Sequence, residues 1–216
     1  MSEYKSISKI LGECSFFFNN ARSEDILQKI QAYGYDEQRL MAGVNLNKKI
    51  FGQIANIASV DGERLALSKE ILQLNDEITN GFRIHIQLAR MALQGKDEQL
   101  CRIPRKMNHK SYMERIFEQT KLYKAIQEQS EIKESCLKLN LSPETAIKQL
   151  EKLGQLSQML QDRKELMAQI KRLIRERNLA LNDLQKMRKD LITIARIALG
   201  EKEEQLLEKL GVVVPS

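Results

Sequence analysis

Residues 89–100 read A-R-M-A-L-Q-G-K-D-E-Q-L and residues 195–206 read A-R-I-A-L-G-E-K-E-E-Q-L. Eight of the twelve positions are identical at an offset of 106, and Met91/Ile197 and Asp97/Glu203 keep their chemistry. Self-similarity at a fixed period is the mark of one structural unit written twice. The expected arrangement of the 216 residues is therefore two equivalent helical copies, 1–106 and 107–216, interleaved in one body.

The offset continues upstream. Gly34-Tyr35-Asp36 falls on Asn140-Leu141-Ser142, and the two triplets share one physical logic. Gly and Asn best tolerate the left-handed backbone that closes a helix. Asp and Ser accept hydrogen bonds from the free amides that open the next one. Tyr35 and Leu141 lie where an apolar staple to Leu40 and Ala146 would set the angle of the corner. Pro143 sits in the first turn, where its missing N–H costs nothing.

A long helical pattern follows each corner. Leu40, Val44, Phe51, Ile54, Ala58, Leu65, Leu72, Phe82, Ile86, Ala89 and Leu93 fall on a seven-residue repeat, with polar Asn47, Asp61, Ser68, Asn75 and Thr79 filling the other seam positions. The spine is accordingly expected to be less well buried at its middle, near 59–69, than at its ends. Ile147, Leu150, Leu153, Met167, Ile170, Ile174, Leu181, Leu184, Leu191 and Ile194 trace the second stripe. The spacing predicts helices over 40–94 and 143–199. The competing arrangement folds each into a hairpin near 59–63 and 165–169. Ser59-Val60-Asp61-Gly62 could turn, but Glu165-Leu166-Met167-Ala168 has no turn chemistry, which favours unbroken helices. Shorter helices are expected over 4–20, 24–33, 110–128 and 131–139, with Ser23 as an N-cap, and terminal ones over Lys96–Cys101 and Glu201–Leu210. Arg102–Lys110 reads as the linker.

The resulting class is all-α: an elongated bundle of two long antiparallel helices flanked by short ones. Composition agrees, with 30% charged residues, 5% aromatic and no Trp. The net charge of +6 divides into +2 over residues 1–106 (15 basic, 13 acidic) and +4 over the rest (20 basic, 16 acidic), so neither copy is a basic module. Cys14, Cys101 and Cys136 are odd in number and lack C-x-x-C spacing, which points to reduced thiols and a cytoplasmic setting. No stretch reaches the length of a membrane span.

Tyr33-Gly34-Tyr35 before a long helix, the pairs Leu74-Asn75 and Leu181-Asn182, and Ala195–Leu199 followed by Gln205–Val212 resemble a group of bacterial all-helical proteins. These features are a Y-G-Y corner, an L-N pair and an A-R-I-A-L…Q-L-L-E-K-L-G-V end. The resemblance implies a helical fold and brings no activity with it. Cys101-Arg102-Ile103-Pro104 departs from the pattern after Leu100.

Chemistry-bearing motifs are sparse. Helical di-metal centres use Glu-x-x-His pairs, but Phe82 and Lys106 precede His85 and His109 by three. Cys101 and His109 lack a third, orienting group, and no glycine-rich phosphate loop occurs. Neither cofactor nor catalysis is expected. Phe16-Phe17-Phe18 cannot all face one core, so at least one should be exposed.

The one charged candidate surface is Arg163, Lys171, Arg172, Arg175, Lys186 and Arg188, part of a run of nine bases opposed by five acids between 161 and 190. It could track phosphate or anionic lipid, although the simpler reading is a solvated face with internal ion pairs. Arg90 and Arg196, within the repeated A-R-x-A-L, are expected to bridge structurally to a carboxylate or helix C-terminus. The expected function is a non-catalytic scaffold that binds a protein partner or itself. Anionic-surface or nucleic-acid binding is the alternative.

Overall fold

In the computed structural model, residues 2–94, 97, 100, 102–104, 107, 109–200 and 203–212 are described, with side chains from Ile7 onward. Among them are seven helices: α1 (Ser2–Asn20), α2 (Glu24–Gln31), α3 (Glu37–Leu93), α4 (Tyr112–Glu128), α5 (Ser130–Leu137), α6 (Pro143–Leu199) and α7 (Glu204–Lys209). No strand occurs among the described residues. The expected helix over Lys96–Cys101 lies largely outside them.

Both long helices have 57 residues, and neither breaks at 59–63 or 165–169. Gly62, in the rejected hairpin turn, is helical, and a Cβ placed there would meet nothing within 4 Å. Alanine at an open helix-interior position recovers about 0.5–1 kcal/mol of backbone entropy. Gly62→Ala is therefore expected to raise stability by about that amount in a urea titration followed by circular dichroism. A loss would mean that the backbone needs glycine at that point.

Both corners close as the sequence implies. Gly34 (φ 80°) and Asn140 (φ 58°) are left-handed. Tyr35 N donates to Ile30 O at 3.3 Å and Leu141 N to Cys136 O at 3.1 Å. The next helices are capped when Asp36 Oδ1 accepts from Arg39 N (2.8 Å) and Ser142 Oγ from Thr145 N (3.3 Å). Tyr35, Leu40, Leu141 and Ala146 are all buried. Ser23 occupies its N-cap position without capping: its hydroxyl donates back to Asn20 O at 2.7 Å. Ser111 and Glu114 instead form a reciprocal capping box at the start of α4.

The chain packs as two compact units. In the first (1–60 and 169–216), α1, α2 and the opening turns of α3 share a core with the closing part of α6 and with α7. Phe17, Phe18, Ile26, Leu40, Ile50, Leu184, Leu191 and Leu207 belong to it. Phe17 and Phe18 meet edge to face at 5.8 Å, while Phe16 is exposed. In the second unit (61–168), α4 and α5 pack with the later turns of α3 and the opening turns of α6. Its core includes Ile71, Ile78, Phe82, Ile86, Tyr123, Ile126, Ile132 and Leu153. Ile103 and Met107 are buried there too, so the stretch read as linker is anchored by its own apolar residues.

The buried face of α3 differs from the expected stripe. Phe51, Ala58, Leu65 and Leu72 are exposed, and Ile50, Val60, Ile71 and Ile78 are buried instead. Apolar side chains occur on more than one side of this helix, so a seven-residue count does not select the phase; the packing partners do. Asn47, expected as a seam polar group, is buried and donates Nδ2 to Leu11 O at 3.1 Å. None of residues 61–70 or 157–176 is buried, in keeping with a weakly covered middle.

Candidate functional site

Five of the six basic candidates belong to the first unit, and they do not share a face. At about 100° per residue, Lys171, Arg175 and Lys186 lie opposite the side that buries Leu184 and Leu191; all three are exposed. Arg172 is exposed and reaches Glu176 Oε1 at 4.0 Å. Arg188 is turned toward the core, where Nη1 donates to Glu13 Oε2 at 3.0 Å and the guanidinium lies 5.8 Å from the Phe17 ring centre. Arg163 is half-buried in the second unit. A continuous six-residue anion surface is thus reduced to Lys171, Arg172, Arg175 and Lys186.

The repeated arginines also diverge. Arg90 is half-buried and donates Nη2 to the carbonyl of Ile103 at 2.5 Å, fastening the segment after α3. Arg196 is exposed. What the repeat preserves is the helix end: Gln94 (φ 50°) and Gly200 (φ 60°) are both left-handed, and their amides donate to Arg90 O and Arg196 O at 3.1 Å each.

Potential acid-base groups are tied into the cores. His85 Nδ1 is 3.0 Å from Tyr123 Oη, and the rings meet edge to face at 5.8 Å. Burial lowers the His85 pKa below its ordinary value and pushes the Tyr123 phenol far up, so the pair is neutral. Cys14 and Cys136 are free and buried, and burial raises both thiols, the opposite of what a nucleophile needs. Cys101 lies outside the described residues. Among those residues no group of three or more His, Cys, Asp or Glu could hold a metal ion. No helix among them is long and apolar enough to cross a membrane.

The His85 pair has a pH consequence. Its imidazole is harder to protonate folded than unfolded, so between the lowered folded pKa and about 6.5 the unfolded chain binds more protons. Stability is full above that window and falls as pH drops through it. Urea midpoints measured from neutral pH down to about pH 5 are expected to fall in the parent and to fall less in His85→Phe. Parallel profiles would remove His85 as the cause.

Two of the hollows among the described residues bear on function, and neither was found by sequence reading. In the second unit, Met113, Ser157, Leu160, Gln161, Lys164, Glu165 and Ala168 line an open groove of about 600 Å³ between the start of α4 and the middle of α6. Met113 and Phe117, one turn apart on α4, are 58% and 62% exposed. In the first unit, Ile7, Ser8, Leu11, Phe51, Ile54 and Arg177 line a cavity of about 100 Å³. Arg177 is only 7% exposed, and its Nε and Nη2 both donate to Asn178 Oδ1, at 3.2 and 2.8 Å. A charged residue reads as solvent-facing in any pattern count. The one available signal was its position 106 residues after Ile71, an apolar core residue.

No family model, curated protein or solved structure matches the chain.

Proposed function

We propose that the protein is a non-catalytic helical scaffold that binds a protein helix through the second-unit groove. The observation that carries this reading is the uncovered apolar pair Met113 and Phe117 beside a groove with Leu160 and Ala168 in its wall. Apolar side chains on successive turns next to a hollow match the way an amphipathic helix lays one face into a groove. Lys164 and Glu165 at its edge supply charges of both signs for register. The partner is a different protein or a second copy of this chain.

The architecture proposed with it is an internal duplication, 1–106 and 107–216, with the long helices antiparallel. Three coincidences support it. The pairs α2/α5 and α3/α6 match in length and start 106 residues apart, left-handed residues recur at 34/140 and 94/200, and α3 opens in the core where α6 closes. The likeness to bacterial all-helical proteins and a cytoplasmic setting belong to the same reading, the latter supported by two free thiols.

Light scattering and nuclease-treated pull-downs at low and high salt test the function. Association is expected to persist at high salt and to be lost in Met113→Asp/Phe117→Asp, since apolar contacts are not screened. The competing reading uses Lys171, Arg172, Arg175 and Lys186. Nucleic-acid retention that falls steeply with salt and disappears in Arg172→Glu/Arg175→Glu/Lys186→Glu would replace the groove with the charged face.

A further inference from the structure

Arg177, in the first unit, is a cation only 7% exposed. Among the described residues no carboxylate lies within ion-pair distance of Arg177, and its hydrogen bonds go to one neutral oxygen on the adjacent residue. A guanidinium taken out of water is strongly disfavoured unless an anion meets it. Under the proposed duplication its counterpart is Ile71, 106 positions earlier, which is 0% exposed and belongs to the apolar core of the second unit.

Arg177 borders a hollow of matching character. Ile7 and Leu11 from α1 and Phe51 and Ile54 from α3 give it apolar walls, and Ser8 is the other polar residue lining it. An apolar cavity with few convergent polar groups is the usual form of a small-molecule site, where the walls supply affinity and the polar groups fix orientation. An apolar cavity of ~150 Å³ accepts a six-carbon ring. One of about 100 Å³ therefore has room for about four carbons only where a ligand's oxygens stay outside it, at the rim formed by Arg177 and the exposed Ser8.

We infer that the first unit binds a small aliphatic monocarboxylate of about four carbons, its carboxylate on the Arg177 guanidinium and Ser8 hydroxyl and its chain between Ile7, Leu11, Phe51 and Ile54. Arginine suits this role because its planar fork matches two carboxylate oxygens and it stays charged at any working pH. The site is independent of the second-unit groove, so neither reading depends on the other.

The test is a titration of the full chain with sodium butyrate, read by carbon-13 NMR of labelled butyrate and by the thermal midpoint. Acetate, hexanoate, octanoate and 1-butanol serve as comparators. Saturable binding strongest near four carbons is expected, with 1-butanol at least tenfold weaker. Arg177→Met, which imitates the apolar residue of the other unit, is expected to fold and to weaken butyrate at least tenfold. Ile54→Phe fills the hollow with Arg177 intact and should abolish binding while circular dichroism stays unchanged, which keeps the test decisive should Arg177→Met fail to fold. The proposal is overturned by absence of saturable binding across the series, by 1-butanol binding as well as butyrate, or by undiminished binding in either variant that folds.

Discussion

Phe82→Ala is expected to cost about 3–5 kcal/mol. Phe82 is buried in the second-unit core and meets Tyr123 edge to face, with ring centres 6.4 Å apart and planes at 77°. Removing the ring forfeits its transfer free energy and leaves a cavity that the surrounding helices can only partly close. It also strips one wall from Tyr123, whose phenol depends on a fixed position to meet His85 Nδ1. The urea midpoint should fall sharply, and the near-ultraviolet signal of Tyr123 should weaken even where the variant stays folded. A loss below about 1 kcal/mol would show that α3 is not held against α4 by this contact.

Gly43→Ala sets two effects against each other, and their magnitudes decide the sign. Inside α3 alanine is favoured over glycine by about 1 kcal/mol. At Gly43, however, a Cβ would lie 2.5 Å from Cε1 and 2.7 Å from Cδ1 of Phe18. Phe18 cannot swing aside without losing its edge-to-face partner Phe17, and both rings are buried. Overpacking of this kind typically costs about 1–3 kcal/mol, so the net change is destabilising. Gly43→Val adds further bulk at the same point and should unfold the first-unit core. Set beside the stabilisation expected from Gly62→Ala, the opposite sign checks whether close approach, rather than helix propensity, governs glycine in α3. A stabilised Gly43→Ala would contradict the packing of α1 on α3.

Local features were the legible part of this fold. Gly34 and Asn140, Asp36 and Ser142, and the absence of turn chemistry at 165–168 are properties of short stretches, and each acts through bonds within a few residues. The phase of the long helices was not legible. Ile50 and Phe51 are adjacent and both apolar, yet one is buried and the other half uncovered. Only the neighbours that arrive from α1 and α6 distinguish them. The charged residues show the same boundary. Lys171, Arg175 and Lys186 face outward as charge patterning implies, whereas Arg177 and Arg188 turn inward because the next apolar face of α6 falls on their side. Met113 and Phe117 were hidden for the converse reason, since nothing in a sequence tells a covered apolar pair from an uncovered one.

The way the two units divide the chain bears on the order in which they can form during synthesis. The second unit is one uninterrupted stretch, 61–168, so all of its core residues are present once that stretch has been made. The first is discontinuous: Leu11, Phe17, Phe18, Leu40 and Ile50 must await Leu184, Leu191 and Leu207. At ~5–20 residues per second, the passage from residue 60 to residue 184 takes about 6–25 s. For that interval α1, α2 and the opening turns of α3 have one another but lack the cover that α6 and α7 give them. Of the two units, the one whose synthesis starts first is thus the last to be completed.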